Sequence, residues 1–155
     1  MIQQSCNSQA FEALLRPILE QGLRIRFQAS GCSMSPAIRD GEIVEVGPVK
    51  LGELREDDIV LVKSDAGFRL HRIVKLDLAN DVFITRGDCC QENDPPLSGA
   101  QILGLARAKE VRLGCRIVPA SLRGGWMLRS AARAQYLLLK LLGKSATPRI
   151  GFSPE

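Results

Sequence analysis

A chain of 155 residues with 45% hydrophobic and 25% charged residues has room for one domain and enough apolar material for a core, which excludes a disordered chain. Aromatic residues make up only 5%, so the core is mostly aliphatic, and the many Val and Ile residues favour strands. The net charge of +4 is a property of the tail: Arg123, Arg129, Arg133, Lys140, Lys144 and Arg149 stand between residues 121 and 152 without an acidic residue, unlike a diffuse nucleic-acid-binding surface, and no nucleic-acid partner is expected.

The first element is a helix over residues 8–22. Phe11, Leu14, Leu15, Ile18 and Leu19 recur at helical spacing, Ser8 is a candidate cap and Gly22 a stop. Pro17 conflicts with this pattern and predicts a kink or two shorter pieces. Leu23, Ile25 and Phe27 then alternate with Arg24, Arg26 and Gln28, the signal of a half-buried strand. Residues 30–40 form a loop rich in turn residues around Gly31 and Pro36, and a strand resumes over 43–46.

Short strands follow at 58–62, 68–76, 82–85 and 102–111, with Gly104 as a candidate bulge. The connections carry Gly, Asp, Asn and Pro. Strands at this spacing predict a mainly β fold, a barrel or coiled sheet. A second helix is expected over 121–142, with Met127, Leu128, Ala131, Leu138, Leu139 and Leu142 on one face, Gly143 as its stop and a loose tail after it. This divides the chain into an N-terminal helical segment (1–22), a β domain (23–118) and a basic amphipathic helix with tail (119–155).

Five cysteines, Cys6, Cys32, Cys89, Cys90 and Cys115, make an odd, irregularly spaced set without a disulfide framework. Reduced thiols in a cytosolic compartment are the simpler reading. No run approaches the roughly 18 apolar residues of a transmembrane helix, and the N-terminus has neither a basic start nor an apolar signal core. The expected location is cytoplasmic, or peripheral at the cytoplasmic membrane. In the peripheral case the basic helix would lie on an anionic surface with Trp126 inserted; the alternative is a helix packed on its own sheet.

The segment Gly31-Cys32-Ser33-Met34-Ser35-Pro36, followed by Asp40-Gly41-Glu42, carries the most chemistry. A serine in such a loop is by itself weak evidence of catalysis. Three further segments accompany it in order: Asp57-Asp58-Ile59-Val60-Leu61-Val62, Leu70-His71-Arg72-Ile73-Val74, and Ile84-Thr85-Arg86-Gly87-Asp88 with Asp94 just after. Together with Ile102-Leu103-Gly104, these segments resemble the boxes of signal peptidase I over about residues 22–110. Most bacterial members, and the self-cleaving repressors that share the fold, place a Lys where this chain has His71, its only histidine; the endoplasmic-reticulum and sporulation types place a His.

The resemblance implies a signal-peptidase-like coiled β-sheet or barrel domain and a serine endopeptidase acting on a precursor polypeptide, without cofactor or metal. Ser33 would be the nucleophile and His71 its base. A hydroxyl is a poor nucleophile until a neighbouring base takes its proton, and an imidazole both takes it and returns it to the leaving amine. A carboxylate on the other ring nitrogen would hold the tautomer. Asp88 and Asp94 are both candidates: Asp88 sits in the box and reads as structural and orienting, Asp94 as the direct partner, and each also fits a turn-capping role. The Ser33 amide is one oxyanion donor. The second position, a hydroxyl in many members, is Gly31, so Ser30 or a backbone amide would have to serve.

Lys63 as a base, and a metal site of cysteines with His71, are weaker readings: the first fits a solvated strand end, and the second lacks a CxxC pair. The other class of function is a regulatory module, or a catalytically degenerate peptide-binding module, related to the self-cleaving repressors. The residues before Leu23 are too few for the helix-turn-helix such a repressor would carry.

Overall fold

The computed structural model describes residues 8–64, 67–113 and 116–121. It opens with α1 (Ser8–Glu20), a single helix that passes through Pro17 rather than breaking into two pieces. Packing explains its persistence: Leu15 and Leu19, one turn apart and on either side of the proline, are both buried. The end is a Schellman motif. Gly22 has φ 80°, its N–H donates to the Leu19 carbonyl at 3.0 Å, and the Leu23 N–H donates to that of Ile18 at 3.2 Å. Glu12 fastens the helix to the sheet by pairing with Lys63 and, at 2.8 Å, with Arg16, whose guanidinium also reaches the Ala100 carbonyl at 3.0 Å.

The sheet is antiparallel throughout. Its strands are β1 (Ile25–Gln28), β2 (Ile43–Gly47), β3 (Ile59–Ser64), β4 (Gly67–Asp77), β5 (Val82–Arg86), β6 (Ile102–Leu113) and β7 (Arg116–Ser121). Six of them run in the order β1-β2-β6-β3-β4-β5, and β7 pairs with the far half of β6. The fold is thus mainly β, an open sheet with one short N-terminal helix among the described residues.

Both faces of the sheet are covered, which explains the unbroken apolar run Ile59-Val60-Leu61-Val62. Ile59 and Leu61 join Leu15, Leu19, Met34, Ile38, Val44, Val46 and Leu103 in one core; Val60 and Val62 join Leu54, Ile73, Phe83, Leu97, Ile102 and Leu105 in the other. The β6 register shifts twice, between the partners of Leu61 and Val62 and between those of Glu45 and Val46. The first shift lies beside Gly104, where a bulge is expected. A Cβ on Gly104 would stand 2.6 Å from Val46 Cγ1, so this residue also lets neighbouring strands close up. Such bulges bend and coil a sheet.

The helix expected over 121–142 lies outside the described residues, as do Cys6 and Cys115. β7 is an additional strand: Pro119 within it argues against strand character by the local rule. Among the described residues no helix is long and apolar enough to cross a membrane.

Candidate active site

The loop between β1 and β2 is closed at its neck by the backbone. Ala29 N–H donates to the Glu42 carbonyl at 2.8 Å, and Gly41 N–H to that of Ala29 at 2.9 Å. Met34, Ala37 and Ile38 are buried in the first core and anchor its interior. Ser33 is thereby held half-buried between an exposed Cys32 and the Met34 anchor, at a turn closed by Ser35 N–H to the Cys32 carbonyl at 3.0 Å. Gly31 lies at φ 91°, a left-handed conformation that disfavours a side chain and gives a physical reason for glycine there. Its N–H donates to Asp40 Oδ1 at 2.8 Å. That amide is already engaged, which weighs against Gly31 as the second oxyanion donor.

A second segment, just after β5, touches the Ser33 loop. Cys89 N–H donates to the Ser33 carbonyl at 2.8 Å. Gly87 packs on the same loop: a Cβ there would stand 3.1 Å from Ser33 Cβ. Five residues after Cys89, Asp94 N–H donates to the Thr85 carbonyl at 2.8 Å, which folds the segment back on β5.

β4 crosses beneath with alternate side chains doing different work. Phe68 and Leu70 pack against the first core. Arg69 and His71 turn to Asp94. His71, itself buried, has Nδ1 2.5 Å from Asp94 Oδ2, and Thr85 Oγ1 donates to the same oxygen at 2.7 Å. Arg69 Nη1 donates to Asp94 Oδ1 at 3.1 Å. Burial opposes ionisation of Asp94, but hydrogen bonds from His71 and Thr85, together with the charges of His71 and Arg69, outweigh it and hold the carboxyl below its usual range.

Asp88 has another partner. Its two oxygens receive Arg72 Nε and Nη2, each at 2.7 Å, while Arg72 Nη1 donates to the Asp57 carbonyl at 2.7 Å. The side chains are 1% and 2% exposed, a buried bidentate pair that ties β4 to the segment holding Ser33. The structure therefore separates the two carboxylates: Asp94 meets His71, and Asp88 meets Arg72.

Comparison with protein-family models, curated proteins and solved structures finds no match to this chain.

A groove of about 250 Å³ opens beside Ser33, between the β1 end (Phe27, Ala29) and β4 (Phe68, Leu70), with Leu61 and Ile38 among its lining. β5 pairs with β4 only from Arg72 onward, so residues 67–71 have a sheet partner on the β3 side alone. Among the described residues no hydrogen bond joins Ser33 Oγ to His71. Lys63, the other imagined base, pairs with Glu12 of α1. No group of three metal-binding side chains occurs among the described residues. Cys32, Cys89 and Cys90 are free thiols near Ser33. Burial pushes Cys89 and Cys90 up; Cys32 and Asp88 add to the first shift, Asp94 and Cys89 to the second.

Arg69 and Thr85 are absent from the sequence-level candidates. Period-two spacing offered a signal for both: Arg69 shares a strand face with His71, and Thr85 alternates with Ile84 next to the buried Phe83.

Proposed function

We propose that this chain is a serine endopeptidase of the signal peptidase I type, cleaving signal or leader-like segments of precursor proteins with Ser33 as nucleophile, His71 as base and Asp94 as orienting carboxylate. The observation that carries the reading is the 2.5 Å contact between His71 Nδ1 and Asp94 Oδ2, on a strand whose neighbour segment holds the Ser33 carbonyl. An ionised Asp94 accepts from Nδ1–H and leaves Nε2 as the basic nitrogen.

In this reading an extended peptide lies along the open stretch of β4, with small apolar side chains in the groove between Phe27 and Leu70. Ser33 Oγ attacks the scissile carbonyl as Nε2 takes its proton. The Ser33 N–H is the oxyanion donor at hand. The proton passes to the leaving amine, and water then cleaves the acyl-enzyme with His71 again as base. Such nucleophile–base contacts are often long in free enzymes and tighten with substrate bound. The two shifts of β6 favour the coiled form of sheet that the resemblance implies.

The test is cleavage of precursor peptides by the wild type, Ser33→Ala and His71→Ala. Cleavage by the wild type alone is expected. Cleavage retained by either variant overturns the assignment, and peptide binding without cleavage by the wild type supports the peptide-binding module instead.

A further inference from the structure

We propose that Arg69 is a positioning residue for the Asp94–His71 pair: its guanidinium, held between Ser64 Oγ and Asp94 Oδ1, fixes the carboxylate so that Oδ2 is presented to His71 Nδ1. The inference rests on the Ser33–His71 reading for its catalytic meaning, though not for its geometry.

The two oxygens of Asp94 have separate partners. Oδ2 receives both Thr85 Oγ1 at 2.7 Å and the His71 Nδ1 contact at 2.5 Å, and Oδ1 receives Arg69 Nη1 at 3.1 Å. Contacts on one oxygen alone leave a carboxylate free to swing about its Cβ–Cγ bond. The Arg69 contact opposes that swing from the other side. Arg69 is itself anchored, because Nη2 donates to Ser64 Oγ at 2.7 Å while Ser64 Oγ donates to the Gly67 carbonyl at 3.0 Å. The strand places it correctly: Arg69 lies opposite Val62 and His71 opposite Val60, two residues apart on one face of β4.

The chemistry calls for arginine. Two terminal nitrogens of one rigid plane engage two acceptors at once, which a lysine ammonium on a flexible stem does not reproduce. Arg69 also contributes to the lining of the groove next to Ser33, and its side chain is a third exposed.

Because His71 is the only histidine, nitrogen-15 spectra of histidine-labelled full-length protein report on it alone. At a pH where the imidazole is unprotonated on one nitrogen, the wild type should show one tautomer, with the proton on Nδ1, and a slowly exchanging downfield Nδ1 proton. Arg69→Gln should mix the tautomers and broaden that proton, with kcat reduced roughly ten- to hundredfold and KM changed far less. Arg69→Lys should recover only part of the signature, and Ser64→Ala, which keeps every charge, should weaken it in the same direction. A wild-type imidazole spectrum in folded Arg69→Gln overturns the proposal. If that variant does not fold, Ser64→Ala decides: an unchanged spectrum overturns it and a weakened one supports it. Failure of the wild type to cleave peptides would count against the protease reading and leave these spectra to judge Arg69.

Discussion

Gly87 and Ser33 meet so closely that a Cβ at residue 87 would stand 2.7 Å from the Ser33 carbonyl oxygen, and 2.8 Å from Cys90 Sγ. The oxygen belongs to the backbone and already accepts from Cys89 N–H, so it has little freedom to retreat. Gly87→Ala should therefore push the Ser33 loop away from the post-β5 segment. The expected cost is about 1–3 kcal/mol of stability, as for other overpacked sites. Peptide cleavage should fall more than stability implies, since a displacement near 1 Å costs about a hundredfold in a reacting geometry. Denaturant midpoints and kcat/KM measured together check both; an alanine variant with wild-type rates would show that the contact does not set Ser33.

Arg72 and Asp88 give a stability prediction in which losing both partners costs less than losing one. Both side chains are almost fully buried and joined twice at 2.7 Å. Removing one partner strands the other charge in the core, at an expected cost of about 3–5 kcal/mol. Arg72→Met and Asp88→Leu should each be strongly destabilised. The double variant Arg72→Met with Asp88→Leu should be more stable than either, because no buried charge is left. Urea unfolding of the four proteins makes the cycle, and additive losses would contradict it.

Much of this fold was legible because alternation survives in the strands that are covered unevenly, as in Ile25, Phe27 and their polar neighbours. The places that misled share a physical cause: tertiary packing overrode a local rule. Pro17 breaks an isolated helix, yet Leu15 and Leu19 bury the turns on either side of it. An arginine is ordinarily left in water, and Arg72 is buried because Asp88 arrives from a segment sixteen residues away to neutralise it. The choice between Asp88 and Asp94 had the same character. Both sit in turn-forming stretches, and only the path of the chain after β5, pinned by Asp94 N–H on the Thr85 carbonyl, separates their partners. Gly31 is legible in retrospect through its φ of 91°, which explains a glycine where the resembling family often has a hydroxyl.

The three described thiols should differ in reactivity. Cys32 is exposed, whereas Cys89 and Cys90 are partly covered and pushed up by burial, and so hold less thiolate at neutral pH. Brief treatment with iodoacetamide at neutral pH should modify Cys32 before either neighbour, as read by peptide mass mapping of the folded protein. Because Cys32 precedes Ser33, its modification should also lower cleavage, and Cys32→Ser should remove that sensitivity. Faster labelling of Cys90 than of Cys32 would contradict the burial argument.

Asp94→Asn separates the two consequences of the His71 contact. The carboxyl is ionised below its ordinary range because its hydrogen bonds and cationic neighbours outweigh its burial. A carboxyl with a lowered folded-state pKa contributes stability above its unfolded value, and that contribution is lost as pH falls through the folded one. The stability gap between wild type and Asp94→Asn should therefore be widest at neutral pH. It should close on acidification, from the ordinary carboxylate range down to the lower folded-state value. Urea midpoints over that interval measure it, and a gap that stays constant throughout would refute the linkage. Activity should respond differently: an amide NH₂ facing Nδ1 favours the tautomer with the proton on Nε2, where it cannot accept from Ser33. A loss in kcat of about 10⁴ follows the behaviour of orienting carboxylates in serine hydrolases. It should persist at pH values where the two proteins are equally stable.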